Sequence, residues 1–454
     1  MEGTTDVEDR PSYLRAHLTV LAVTILHIST GAVMGWSSPI LPKLNLTTEE
    51  QSLVGSLYSL GAAPGPFVVT FGLDTIGRKG TLYVLWASFL SSWIIMIFSQ
   101  NLYVIYIARI IGGLGVGGAC AGLPVYIAEI AIPDIRGRLA AMGGISLALG
   151  GLIVFGVGPY VSYRILNLFG GAIAAVFALF FYIVPESPYY YYKKGRKKDA
   201  EEALQRLRCY RTREKLEEEL AEIEKAILLE KENSVSFLEG MRQPIALKAI
   251  GLSVFIVAMQ QFQGVVLLNA YSQMIFDSAK LNFPATSVPV IYVICGMFFS
   301  ALPVLLVNKL IGVKTAFIIS GFGTSISLVL LGLYFYMINS GGVDLYDYSY
   351  ISVVFLIMIS LFSSLGIATL AWPIVAEILP LSVKGIGAGL AGCNSSILGF
   401  IFLAAFPSVA ENYGYSTDFF GIALILFVST AILTFIMPDT TGKTLQEIQQ
   451  LLAK

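Results

Sequence analysis

Apolar residues fall into long unbroken blocks along this chain, with polar residues confined to short stretches between them. A helix needs about 20 apolar residues to cross a hydrocarbon core. Twelve runs reach about that length: 17–37, 52–72, 81–99, 102–128, 139–161, 166–184, 246–275, 288–308, 314–338, 350–376, 386–408 and 417–437. A membrane β-barrel would instead show alternating segments of about ten residues. These runs do not alternate, so the pattern predicts an all-α membrane protein with twelve transmembrane helices.

One region breaks the pattern. Residues 185–248 hold 14 Lys/Arg and 13 Asp/Glu, or 27 of the chain's 59 charges in 64 residues. This reads as a soluble insert between two six-helix halves. Within it, Leu216, Leu220, Ile223 and Ile227 recur at helical spacing. That spacing predicts an amphipathic helix lying on the membrane surface or against the bundle. The expected divisions are a tail (1–16), a six-helix bundle (17–184), a helical linker (185–245), a second bundle (246–437) and a tail (438–454).

Composition sharpens the class. Hydrophobic residues make up 56% and charged residues 13%, where soluble domains carry about 25% charged residues. This excludes a soluble enzyme, a disordered protein and a disulfide scaffold. The net charge of −1 gives no basic excess for nucleic acid. The four cysteines show no pairing in a loop, so no structural disulfide is expected. The first apolar run is long enough to span, so no cleaved leader is expected.

Charge also orients the chain. An even number of spans puts both termini and the insert on one side, which collects 25 of the 29 basic residues. The positive-inside rule makes that side cytoplasmic and the protein a multi-pass cell-membrane protein. The sequon at Asn45 then faces outward as a glycosylation candidate.

The two halves repeat each other. PVYIAEIAIPDIRG (124–137) matches WPIVAEILPLSVKG (372–385), with Glu129 on Glu377 and Arg136 on Lys384, both 248 residues apart. PESP (185–188) ends the sixth span much as PDTTG (438–442) ends the twelfth. Parallel repeats of this kind build transporters whose substrate site lies at midplane between the halves. A charge at the bilayer centre costs about 2.5–3.5 kcal/mol, so ionisable residues gather at helix ends. Asp74, Arg78, Lys79, Glu129, Arg136, Arg138, Glu186, Glu377, Lys384 and Asp439 line the cytoplasmic rim. They are expected to pair between the halves as a gate that breaks when this side opens. The alternative reading is a solvated rim that merely satisfies topology.

These motifs together resemble the sugar porter family of the major facilitator superfamily, in its insect facilitated trehalose transporter-like branch. The residues carrying the resemblance are Asp74-Thr75-Ile76-Gly77-Arg78-Lys79, Arg109 in its glycine-rich span, Pro124…Tyr126…Glu129…Arg136-Gly137, Pro185-Glu186-Ser187-Pro188, Gln260-Gln261, Trp372…Glu377, and Pro438-Asp439-Thr440 with Gly442-Lys443-Thr444-Leu445. The resemblance implies two pseudo-symmetric six-helix bundles and movement of a sugar down its gradient. It also implies sugar contacts at Gln260, Gln261, Trp372 and Asn394. Amides offer both donors and acceptors to hydroxyls, and an indole face stacks on a pyranose. A buried Gln also serves interhelical hydrogen bonding.

The sequence departs from the family pattern in the pocket. The fifth-span amide is Gly144, the seventh-span Asn is Val266, the tenth span reads Ala368-Thr369-Leu370-Ala371-Trp372 without its prolines, and the eleventh reads Asn394-Ser395. The lost amides predict weak monosaccharide binding and a polar centre moved along the seventh helix. Gln263, Asn269 and Tyr271 are the candidates, with Tyr271 placed above Gln260 by helical spacing. A ligand other than glucose follows, a disaccharide or polyol.

Other motifs carry less. Gly113-x-Gly115-x-x-Gly118 sits inside an apolar helix with no preceding strand, so it reads as helix packing. His27 is the one histidine in the interior of a predicted span and reads as packing rather than a proton relay. Tyr189–Tyr192 read as an interfacial aromatic belt. No acid lies in the first span, where family proton symporters carry one, which favours uniport. The expectation is facilitative transport of a sugar of the trehalose or hexose class. The alternatives are a transport-inactive sugar sensor and a carrier of another polyol or small solute. No cofactor, metal or obligate protein partner is expected beyond the sugar and the bilayer.

Overall fold

The computed structural model describes residues 13–182, 184–210, 212–232, 243–307, 309–340, 346–380, 382–443 and 445–453. Among the described residues, twelve helical spans are long and apolar enough to cross a membrane. In order they are Leu14–Lys43, Thr48–Thr75, Gly77–Phe98, Leu102–Ile130, Ile135–Tyr160, Tyr163–Phe180, Pro244–Asp277, Ser287–Leu306, Val313–Asn339, Tyr346–Ile378, Lys384–Tyr413 and Tyr415–Ile436. The face opposite both termini is called the outer face below, and the face of the termini the inner rim.

Backbones approach closely where the sequence is glycine-rich. A Cβ on Gly113 would lie 2.1 Å from the Tyr58 carbonyl oxygen, and one on Gly117 would lie 2.0 Å from that of Ala62. The second and fourth spans therefore pack backbone to backbone, as the small residues predict. The second span starts with a capping box, in which Thr47 and Glu50 satisfy each other's backbone N–H groups.

Two spans are broken, and the breaks shape the centre. The seventh runs as a helix Pro244–Met259, a 3-10 turn Gln260–Phe262, and a second helix Val265–Asp277. Gly264 at the junction has φ +81°, a left-handed conformation that favours glycine. The tenth runs as Tyr350–Leu365 and Ile367–Ile378, parted at Gly366. A Cβ at Gly366 would press against Ser320 and the Ala316 carbonyl at 2.7 and 2.8 Å.

The halves meet through the second and eleventh spans, the fifth and eighth, and the outer ends of the first and seventh. The outer face is closed by neutral hydrogen bonds between halves. Ser37 donates to the Ala270 carbonyl (3.0 Å), Ser38 and Ser272 share a hydroxyl contact (3.0 Å), and the Gln273 N–H donates to Ser38 (3.1 Å).

The insert folds on itself. Its helices Pro188–Lys193, Lys197–Arg208 and Arg213–Glu232 bury Leu204, Leu216, Ile223 and Ile227 together, with Tyr189, Tyr192 and Tyr210 packed against them. The apolar stripe is thus spent on neighbouring insert helices. The tyrosine run is correspondingly part of this packing: Tyr190 lies under the Arg78 guanidinium and Tyr191 under that of Arg196. Arg208 ties the insert to the bundle, pairing with Glu219 and donating to the Ile130 carbonyl at 2.7 Å.

Candidate functional site

Breaking the seventh and tenth spans frees backbone carbonyls and turns side chains toward the space between the halves. Gln260 Nε2 donates to the Ile367 and Ala368 carbonyls (3.0 and 3.3 Å), in the first turn after the tenth-span break. Gln261 Nε2 donates to Ser395 Oγ at 2.6 Å. Each amide thereby commits its donor side to the protein, and Gln260 braces the wall at Ala368.

Beside that wall lies a cavity of about 190 Å³ lined by both halves. The first and fifth spans contribute Gly31, Met34, Gly144 and Ala148, and the seventh, eighth and tenth contribute Asn269, Tyr292, Gly296, Ser300, Ser360, Ser363 and Ser364. Ser300 and Ser363 donate within their own helices, to Met297 and Ser360 carbonyls. The Asn269 amide, the Tyr292 hydroxyl and the hydroxyls of Ser360 and Ser364 make no hydrogen bond to any described residue. Polar groups in a membrane interior normally find partners, so this set is open to a ligand rich in hydroxyls. Gly144 and Gly296 keep the space clear; a Cβ on Gly144 would meet nothing within 4 Å.

The other sequence candidates sit elsewhere. Gln263 is buried, and its Oε1 has no partner. Tyr271 is fully buried outside the cavity: its hydroxyl donates to the Leu403 carbonyl at 2.9 Å and its ring stacks on Phe406. Helical spacing had put Tyr271 above Gln260, but Gly264 interrupts the helix between them and shifts the phase. Tyr271 instead helps close the outer face, against Gly55 of the second span. Trp372 lies on the inner half of the tenth span near Gly392, and Asn394 is half-buried on the eleventh. The serines at 360, 363 and 364 were missed. The available signal was three hydroxyls at i, i+3 and i+4, on one helix face, in an otherwise apolar run.

At the inner rim the structure brings together residues from one half. Arg78 pairs with Glu129 through two hydrogen bonds and donates to the Leu73 carbonyl. Ser187 donates to Glu129, and Glu186 accepts from the backbone N–H groups of Arg78 (3.0 Å) and Lys79 (3.1 Å). Burial raises the Glu186 pKa above the ordinary carboxylate value, against the N–H donors from Ser187, Lys79 and Arg78. Asp74 meets Lys193 at 3.5 Å. None of these pairs joins the two halves. The expected cross-half pairing is absent from this conformation: Arg136 and Glu377 are exposed, and Lys384 is half-buried with no ion pair among the described residues. These three charges stand without an ion pair among the described residues while the outer face is closed.

Among the described residues no carboxylate pairs with Arg109. Its guanidinium is fully buried, donates to the Val33 and Val54 carbonyls (2.6 and 3.0 Å), and lies over the rings of Trp36 and Tyr58. His27 is buried against Gly143, with Nδ1 unpartnered. Asn45 is exposed between the first two spans.

Residues 17–452 match the family described as "Sugar (and other) transporter". A relative from Arabidopsis thaliana, "Sugar transporter ERD6-like 6", is 31% identical over 97% of this chain and 91% of its own length. "Facilitated trehalose transporter Tret1" of Polypedilum vanderplanki is 27% identical over 95% of this chain and 87% of its own. Among solved structures, the partially occluded inward-open xylose transporter XylE from E. coli superposes with a TM-score of 0.79, at 19% identity, over 95% of this chain and 100% of that one. XylE as a proton:xylose symporter bound to 6-bromo-6-deoxy-D-glucose gives 0.77, at 20% identity, over 97% of this chain and 99% of that one.

Proposed function

The chain belongs to the family described as "Sugar (and other) transporter", and from that premise we propose that it carries a sugar of the trehalose or hexose class by uniport. It is a transporter and not an enzyme. The observation that supports the substrate class is the cavity between the halves, where Asn269, Tyr292, Ser360 and Ser364 present polar groups that the protein leaves unpaired. Sugar hydroxyls both donate and accept, which this mixed set matches. Gln260 acts as a positioning residue behind the wall, and Gln261 fastens the seventh span to the eleventh.

Uniport is supported by Arg109. Proton symporters of the family that this sequence resembles carry a carboxylate in the first span. Here the buried cation is balanced by two carbonyl dipoles and two ring faces, and no Asp or Glu lies in the first span. Arg136 and Glu377 are the inner gate in this reading: they stand free with the outer face closed and come together in the opposite conformation. In the same reading the chain lies in the cell membrane with cytoplasmic termini, and Asn45 faces outward as a glycosylation candidate.

The test is uptake of a labelled sugar panel, with trehalose and glucose included, into liposomes carrying the purified protein. Saturable flux that ignores an imposed proton gradient is expected. Accumulation driven by that gradient would overturn uniport, and absence of flux for every sugar would favour the sensor.

A further inference from the structure

The inner rim carries a second kind of cavity, one in each half, and the two differ in charge. In the N-terminal half a cavity of about 420 Å³ is lined by three cations, Arg15, Lys79 and Arg206, and three carboxylates, Glu186, Asp199 and Glu202. In the C-terminal half a cavity of about 780 Å³ lies between the starts of the seventh and ninth spans, the end of the twelfth and the terminal helix Leu445–Ala453. It also has three cations, Lys248, Lys314 and Lys443, but one carboxylate, Asp439.

That carboxylate is already engaged, accepting from the Thr441 hydroxyl (2.6 Å) and backbone N–H (3.2 Å). The lysines find only carbonyls: Lys443 donates to Asp439 O at 2.8 Å, and Lys248 reaches Leu452 O at 3.4 Å. No described carboxylate lies within ion-pair distance of the three ammonium groups. Beneath them the walls are apolar, and Phe435, 87% exposed, and Ile436, 51% exposed, face outward from the bundle. Lysines on one side and an apolar wall that runs to the exposed Phe435 on the other match a lipid with an anionic head.

We propose that this cavity binds an anionic phospholipid from the leaflet on the side of the termini. The lysines would hold the headgroup phosphate, and Phe435 and Ile432 would lie along an acyl chain. The balanced N-terminal cavity takes none. The proposal does not depend on which sugar is carried.

The test uses the full-length protein in a neutral detergent, incubated with fluorescent phosphatidylserine, with phosphatidylcholine and inositol hexakisphosphate as the other arms. Retention of phosphatidylserine over phosphatidylcholine is expected. The triple change Lys248→Gln, Lys314→Gln and Lys443→Gln should lower retention at least tenfold, and Lys314→Gln alone about fivefold, as for one basic residue at an anionic surface. The triple Lys→Arg protein should bind like the parent, which separates charge loss from misfolding. Arg206→Gln in the other cavity should change nothing. Undiminished phosphatidylserine in both Gln variants, equal retention of phosphatidylcholine, or full displacement by equimolar inositol hexakisphosphate would each overturn the proposal.

Discussion

The inner rims of the two halves solve one problem with different chemistry. Each must cover the backbone N–H groups that open a span, the third in one half and the ninth in the other. In the N-terminal half the Glu186 carboxylate does this, accepting from Arg78 and Lys79, while Arg78 also grips Glu129. In the C-terminal half the Thr441 hydroxyl accepts from the Val313 N–H at 2.8 Å, and itself donates to Asp439. The repeat thus preserves the place of the cap and not its charge. One rim is a locked ionic unit; the other leaves Glu377 and Lys384 without an ion pair among the described residues. A repeated motif in sequence therefore does not guarantee a repeated role.

The largest effect should come from breaking the lock. Arg78 and Glu129 side chains are 9% and 14% exposed, so Arg78→Ala leaves a nearly buried carboxylate unpaired at a cost of about 3 kcal/mol. A thermal melt in detergent should show a marked fall in Tm. Glu377→Ala should move Tm little, within roughly 0.5 kcal/mol for an exposed charge, yet depress flux. Equal melting losses in both variants would erase the contrast between the rims.

The outer face gives the next test. A Cβ at Gly55 would lie 2.2 Å from the Tyr271 hydroxyl, so Gly55→Val should keep that face from closing. Uptake should fall by about tenfold or more, since even ~1.4 kcal/mol against the closed state has that effect on its population. Tyr271→Ala in the same chain should restore part of it. Flux equal to the parent in Gly55→Val would remove Tyr271 from the closing contact.

A smaller effect separates the caps by pH. Burial raises the Glu186 pKa in the folded chain, so the folded state holds its proton more tightly there than the unfolded chain does. Glu186 then adds stability as pH falls from its raised folded value toward the ordinary 4.5. Asp439 is the reverse: the Thr441 hydrogen bond lowers its pKa, so its contribution is present above the ordinary 3.8 and is lost as pH falls through the lowered value. Melts across this acid range should show Glu186→Gln and Asp439→Asn changing the pH dependence with opposite sign. Slopes of the same sign would show that the caps do not differ as described.

The spans and the twofold plan were legible because hydrocarbon thickness imposes a length on every run, and the charge block at 185–248 marks the join. The site was only partly legible. Asn269 was found by asking where an amide could replace those lost at Gly144 and Val266. Ser360 and Ser364 depend on how the broken tenth span meets the eighth, which no local pattern states. Tyr271 was placed by helical phase, and one glycine with positive φ undid the phase. Charge and repeat single out the rim residues, but the choice of partner, Glu129 for Arg78, is a matter of three-dimensional packing.

The most direct measurement is the KM for sugar uptake in liposomes, comparing Asn269→Ala with Ser360→Ala combined with Ser364→Ala. Each lost hydrogen bond costs about 0.5–1.5 kcal/mol, so the double serine variant should raise KM roughly tenfold, with Asn269→Ala acting in the same direction and folding undisturbed. Unchanged KM in both variants, at normal surface density and melting temperature, would contradict the placement of the sugar in this cavity.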